Sequence, residues 1–182
     1  VPFHSAAAEV WGSSEVDAAR TVMYQNGKQV CESGEPAQCS VEGTPEAGDY
    51  RVVTEATRSF TDLSTKISSE WTFRHNGPAA PNLPVQVVRF DPGLDQTNSA
   101  PGGRPHQVTV TVHRNPGAAK AGVRSLTVDV SYDDGVTWQR TPVAMIGNRS
   151  IVVLHHPTTG YVSLRAKAVD TAGNAVDQTI VH

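Results

Sequence analysis

Ser125-Leu126-Thr127-Val128-Asp129-Val130-Ser131-Tyr132-Asp133-Asp134-Gly135-Val136-Thr137-Trp138 joins an alternating run to a turn, and its reading decides the fold. Leu126, Val128 and Val130 recur with period two, so one face of a strand is apolar and the other polar. Ser131, Asp133, Gly135, Thr137 and Trp138 then fit the S-x-D-x-G-x-T-W pattern of an Asp-box. In such a turn the Asp side chain bonds turn backbone, Gly supplies a positive φ, and Trp packs beneath the hairpin. The motif stabilises a hairpin and specifies no reaction.

Outward from this hairpin, strand signals recur. Towards the C-terminus come residues 138–143, 150–155, 162–169 and 175–181, with Val162, Leu164, Ala166 and Ala168 on one face. The last two runs meet at Asp170-Thr171-Ala172-Gly173-Asn174, where Gly173 or Asn174 takes a positive φ. Towards the N-terminus lie Val85-Gln86-Val87-Val88-Arg89-Phe90 and Gln107-Val108-Thr109-Val110-Thr111-Val112-His113, separated by a Gly/Pro/Asn loop. About seven strands in about a hundred residues suit an immunoglobulin-like or fibronectin-III-like sandwich. No cysteine pair spans the expected sheets, which favours the fibronectin-like variant.

Earlier still, Thr21-Val22-Met23-Tyr24 and Lys28-Gln29-Val30-Cys31 flank Gln25-Asn26-Gly27, a strong hairpin signal. Residues 50–56 and 65–74 read as further strands, the second burying Ile67, Trp71 and Phe73. Ser14 to Arg20 is the one short helix candidate. Three prolines between Pro78 and Pro84 block both helix and central strand. The expected organisation is therefore all-β, with two small antiparallel sandwich modules: a β-rich module over 1–77, a Pro-rich linker over 78–84 and the larger sandwich over 85–182.

The chain has 182 residues, 38% hydrophobic and 18% charged, with Gly 15 and Pro 12. That composition belongs to a globular chain rich in turns. A net charge of −3 provides no global positive field for nucleic acid, and no apolar run is long enough to span a membrane. Val1-Pro2-Phe3-His4 shows neither an initiator Met nor a signal-peptide pattern, and reads as a piece of something longer. Cys31 and Cys39 bracket a polar, turn-forming segment without His, which leaves zinc undersupplied and makes a short disulfide loop the expected state. Such a loop places the chain outside a reducing cytosol.

Candidate chemistry is sparse. His155 and His156 are adjacent on a strand and point apart, and His106 and His113 fall on opposite faces, so no histidine is assigned a role. Asp133 with Asp134, Asp170 with Asn174 and Asp177, and Asp91 with Asp95 and Asn98 could each offer oxygens to Ca²⁺. None of these groups reaches the six to eight that calcium takes, and turn bonds explain them more simply, so no cofactor is expected. No G-x-S-x-G or comparable nucleophile context occurs, and Pro101-Gly102-Gly103-Arg104-Pro105 lacks the following helix of a phosphate loop. Of the three indoles, Trp71 and Trp138 belong to hairpin packing, and Trp11 is the least constrained as a sugar platform.

The order of Trp71-Thr72-Phe73-Arg74, Val88-Arg89-Phe90-Asp91-Pro92-Gly93-Leu94-Asp95, the Asp-box, and Val162 through Asn174 resembles the C-terminal region of long secreted bacterial subtilisin-like serine peptidases. The resemblance runs from about Thr21 to Val181. It implies secretion, a parent peptidase, and an accessory role beside the catalytic domain of the same chain. It transfers no catalytic residue, because the Asp, His and Ser motifs of that family have no counterpart here. The rival expectation is a self-standing adhesion or carbohydrate-binding module that meets a protein or polysaccharide surface. An Asp-box propeller glycosidase fits less well, since a propeller needs several blades and one box is present.

Overall fold

The described residues form strands in the order β1 (Phe3–His4), β2 (Trp11–Gly12), β3 (Ala18–Gln25), β4 (Lys28–Ser33), β5 (Gly48–Thr57), β6 (Lys66–His75), β7 (Gln86–Asp91), β8 (Pro105–Arg114), β9 (Val123–Ser131), β10 (Gln139–Thr141), β11 (Ala144–Ile146), β12 (Arg149–His155), β13 (Ser163–Asp170) and β14 (Ala175–Val181). The computed structural model describes residues 15–41, 46–78, 82–146 and 149–182, and the backbone of 3–4 and 11–12. Among these residues there is no helix. Ser14 lies outside them, and the rest of the expected helix is overturned: Ala18 onward pairs with β5 from Ala18↔Thr57 to Gln25↔Tyr50. A seven-residue propensity is too weak to compete with a full cross-strand ladder.

β11-β12-β8-β7 form one sheet, and β10-β9-β13-β14 form half of another. With β7 to β14 lettered in turn, this is the A-B-E-D against C′-C-F-G order of an immunoglobulin-like sandwich. The core between the sheets contains Val88, Val108, Val110, Val152 and Leu154 from one side, and Val128, Val130, Ala166, Ala168 and Val176 from the other. Each set comes from alternating positions, as the period-two pattern requires. Leu126, Val162 and Leu164 pack against its margin.

The expected strand 138–143 is present in a shorter form, 139–141, which pairs with β9, and an unexpected strand follows it at 144–146, which crosses to the other sheet and pairs with β12. Pro142 stands at the crossing, where its missing N–H breaks the ladder. The described residues of the C-terminal half thus form eight strands, the extra one being the short edge β11.

The N-terminal strands do not build a second pair of facing sheets. β6 hydrogen-bonds to β14 from Ala175↔Thr72 to Val181↔Lys66, and β5, β3 and β4 continue outward to give one sheet of eight strands. The hairpin at Asn26 and Gly27 is present as read, with φ of 50° and 82° at the two positions. On the sandwich side of this extension, Ile67, Phe73, Tyr50 and Ala56 are buried. Loop segments supply the cover there: the Glu46 carbonyl receives the Tyr50 hydroxyl at 2.9 Å, and Ala37 N–H donates to Thr21 Oγ1 at 2.8 Å.

Removal of residues 1–84 therefore strips β14 of its partner and uncovers a seven-residue strand edge. Such edges recruit other chains. The 85–182 fragment is expected to self-associate with rising concentration in sedimentation velocity, while the whole chain does not; a fragment that stays monomeric over the same range contradicts the role given to β6.

Candidate functional site

The motif residues form three separate structural knots. In the Asp-box, Ser131 Oγ donates to Asp133 Oδ1 at 2.7 Å and accepts from Gly135 N–H at 2.9 Å. Thr137 donates to the same carboxylate from its N–H at 2.8 Å and from its hydroxyl. Asp134 and Gly135 both have positive φ, 58° and 82°. Gly135 is also required sterically, since an added Cβ would stand 3.3 Å from the Trp138 ring. The hydroxyl and amide of Thr137 with the Ser131 hydroxyl hold the Asp133 carboxyl down at about 2.

Trp138 departs from the expected core placement. Its Nε1–H donates to Gly135 O at 2.9 Å, and the ring is half-buried on the outer face of the sheet, where the Arg165 guanidinium lies 4.7 Å from its centroid. Arg165 donates from Nε and Nη2 to Asp129 Oδ2 at 3.1 and 3.0 Å, and Arg140 bonds the other oxygen. These three residues are cross-strand partners on β10, β9 and β13. Odd-numbered positions of β9 face outward here, so the Asp-box indole following Ser131 covers the arginine and not the core.

Asp170, Gly173 and Asn174 form the second knot. The Asp170 side chain is fully buried; Oδ1 accepts from Ala172 and Asn174 N–H at 2.9 Å each, and Oδ2 from Asn174 Nδ2 and Arg114 Nη1 at 2.9 and 3.1 Å. Burial pushes the carboxyl upward, but the bonds from Asn174, Arg114 and the turn amides outweigh it, and its pKa falls. Gly173 takes the positive φ at 90°. This knot and the Asp-box are at opposite ends of β13, about 23 Å apart for a strand of that length. Cys31 and Cys39 form the expected disulfide on the far edge of the long sheet.

Two of the calcium candidates have carboxylate oxygens with partners in the structure. Asp95 Oδ1 accepts from Thr97 N–H, Thr97 Oγ1 and Ser99 N–H, and Asp177 faces Lys167 at 3.9 Å. Trp71 is anchored by its Nε1–H on Gln86 O at 2.7 Å, and Trp11 has no described side chain. A groove of about 600 Å³ on the outer face passes Tyr24, Asp49, Arg51 and Arg74. Its charges are paired, Arg51 with Glu70 at 2.6 Å and Arg74 with Asp49 at 3.0 Å, and Arg51 also covers the Tyr24 ring.

Sequence parity correctly separates His106 from His113, yet it misses what His106 meets. The β8–β12 register sets Leu154 opposite His106, and the next ring beyond β12 is His156, with centroids 5.2 Å apart. Both line a cavity of about 610 Å³ at the Asp-box end of the sandwich. The only sequence signal for this pair is their position at the strand ends flanking Pro105 and Pro157.

No protein-family model and no curated protein matches the chain. Among solved structures it is similar to an amphioxus IgVJ-C2 molecule, at 9% identity over 94% of this chain and 92% of the other, with a TM-score of 0.24. The sandwich assignment above stands on strand order and core composition.

Two outcomes follow from the Asp-box geometry. Trp138→Ala should cost about 2 kcal/mol in denaturant unfolding, the magnitude of a partly buried aromatic with its cation–π partner; a loss near 5 kcal/mol would indicate a core ring instead. Because the folded pKa of Asp133 lies below its unfolded value of about 3.9, its contribution is complete above that value and fades as pH falls towards about 2. Carboxyl ¹³C titration should show that low midpoint, and Asp133→Asn should remove this share of the acid dependence; a midpoint near 4 contradicts the bonding described.

Proposed function

We propose that this chain is a non-catalytic accessory region of a secreted subtilisin-like serine peptidase, which stabilises, spaces or targets the catalytic domain of its own parent chain. The observation that carries this reading is the continuous eight-stranded sheet, which couples the N-terminal strands to the sandwich without a hinge. Eight strands at the usual separation span about 34 Å, a rigid bar on the scale of a domain. Such a bar suits holding two bodies at a fixed distance. The charged residues that the sequence makes conspicuous are committed to the bar itself: Asp133 and Asp170 to turn backbone, and Asp129 to two arginines.

The Cys31–Cys39 disulfide supports an extracytoplasmic setting. Among the described residues no helix is long and apolar enough to cross a membrane. The paired charges of the Tyr24 groove and the engaged Trp71 and Trp138 give no specific support to a sugar-binding surface.

The purified chain should leave casein intact. In the parent protein, deletion of this region should preserve peptide turnover per titrated active site, while shortening thermal half-life or releasing the enzyme from its particulate substrate. Casein hydrolysis by the chain alone that a serine-reactive inhibitor blocks, or a parent chain with no peptidase domain, overturns the reading.

A further inference from the structure

Two histidines hold both ends of the long β7–β8 loop. His106 Nε2–H donates to Pro92 O at 2.6 Å, which ties down the start of the loop. The far end is tied to the chain just after β12, where Gly103 N–H bonds His156 O at 3.2 Å and Pro157 O at 3.0 Å. The two imidazoles stand against each other with centroids 5.2 Å apart. Tyr132 meets the His156 ring edge-on at 6.1 Å, and its hydroxyl is bonded to the His155 backbone. The His156 ring is therefore set from two sides, and its own peptide carries the end of the loop.

This packing suits a neutral imidazole. His156 Nδ1 is buried without a hydrogen-bond partner. An imidazolium carries a proton on both ring nitrogens, so charging the ring places an N–H at Nδ1 where neither water nor an acceptor meets it. A buried charged donor left unmatched opposes the folded arrangement. The surrounding titratable groups bring no relief. On β8 the neighbour is His106, whose own charge would repel a second, and after β9 it is the neutral Tyr132. Asp62, Tyr161 and His182 stand around the adjoining cavity, but His182 is turned to Asp134 at 2.9 Å and to the Tyr161 ring at 4.8 Å. On β7 the Asp91 carboxylate accepts from Gly93 N–H at 3.4 Å. Burial, and after it the His106 charge, push the His156 pKa below the ordinary imidazole value.

We propose that the His106–His156 pair is a pH-sensitive latch on the β7–β8 loop, closed while His156 is neutral and released when that ring takes up a proton and swings out to water, drawing its peptide away from Gly103. This latch is independent of the accessory role proposed above. In the open form the His156 ring has the ordinary imidazole value of about 6.5, and in the closed form a lower one. The closed form is therefore fully favoured above about 6.5 and weakens as the pH falls below it. One proton taken up on opening raises the open population by up to about tenfold for each pH unit in that window. The Asp170 knot has no histidine among its partners, and its carboxyl is held below the usual range, so that end of the sandwich stays closed.

Amide hydrogen exchange of the full chain, followed by NMR and converted to protection factors at each pH, reads the latch directly. The range runs from about pH 7.5 to about pH 5, above the region where ordinary carboxylates take up protons. Protection of the Gly103 amide should fall by up to about tenfold per pH unit below about 6.5, while that of Ala172 and Asn174 holds. The ¹⁵N signals of the His156 ring should titrate with a midpoint below the ordinary imidazole value. His156→Phe keeps a ring and removes the titration, so Gly103 protection should become independent of pH although His106 and His182 remain. The ring titration and exchange of the unaltered chain make the same test without a substitution. Gly103 protection that holds to the acid end of the range, a His156 midpoint at or above the ordinary value, a fall at Gly103 matched at Asn174, or a fall that persists in His156→Phe overturns the proposal.

Discussion

The pairing of β14 with β6 governs the rest of the structure. β14 is an outer strand of its sandwich, with β13 on one edge, and an unfilled second edge would expose a row of backbone donors and acceptors. β6 fills that edge over seven residue pairs, from Ala175↔Thr72 to Val181↔Lys66. Once this ladder exists, β5, β3 and β4 extend the same sheet, and the facing layer among the described residues is the four-stranded sheet β11-β12-β8-β7. A four-stranded layer cannot cover eight strands, so the inner face of the extension is closed by loops around Thr21, Tyr50 and His75.

The same shortage of cover explains the polar groups in the interior. β7 is the edge of the smaller sheet, and side chains from the longer sheet take up its outward carbonyls: Trp71 Nε1 bonds Gln86 O and Gln178 Nε2 bonds Val88 O. Gln86 returns the bond, its Nε2 donating to Ala168 O at 3.2 Å and Asn174 O at 3.0 Å. Asn174 Oδ1 accepts from Arg74 N–H, and Asp170 receives Arg114. Strands β6, β7, β8, β13 and β14 thus converge on one turn. A buried carboxylate is tolerated there because four donors satisfy it, and loss of any one would leave charge or donor uncompensated.

Local features were the legible ones. Alternation marked Leu126, Val128 and Val130, Asn26-Gly27 marked a hairpin, and Cys31 with Cys39 marked a loop, because each depends on residues a few positions apart. Pairings over long separations were not legible. Nothing in Ala175 to Val181 signals Lys66 to Thr72, so Pro78 to Pro84 read as a divide between two bodies, while the sheet runs on across it. Period two also distinguishes faces without naming the inner one. The Asp-box pattern puts Trp138 under its hairpin and so in the core, but Asp129 between Arg140 and Arg165 makes the outer face the one the indole covers. His106 and His156 became neighbours only through the β8–β12 register.

The two Asp-centred turns do similar local work and leave the two ends of the sandwich in different states. At the Asp170 end the carboxylate points inward and is bonded by Arg114 and Asn174, so polar side chains occupy the space between the sheets. At the other end Asp133 points to its own turn and to Thr137, which contributes nothing to a plug. What closes that end is backbone: Gly103 N–H bonds His156 O and Pro157 O, and Gly102 lies so close to Thr158 O that a Cβ would stand 2.3 Å from it. Backbone held at that distance brings loops together without filling the volume beneath them. The loops at that end therefore meet over a cavity lined by apolar side chains and imidazoles, where the Asp170 end has a bonded carboxylate.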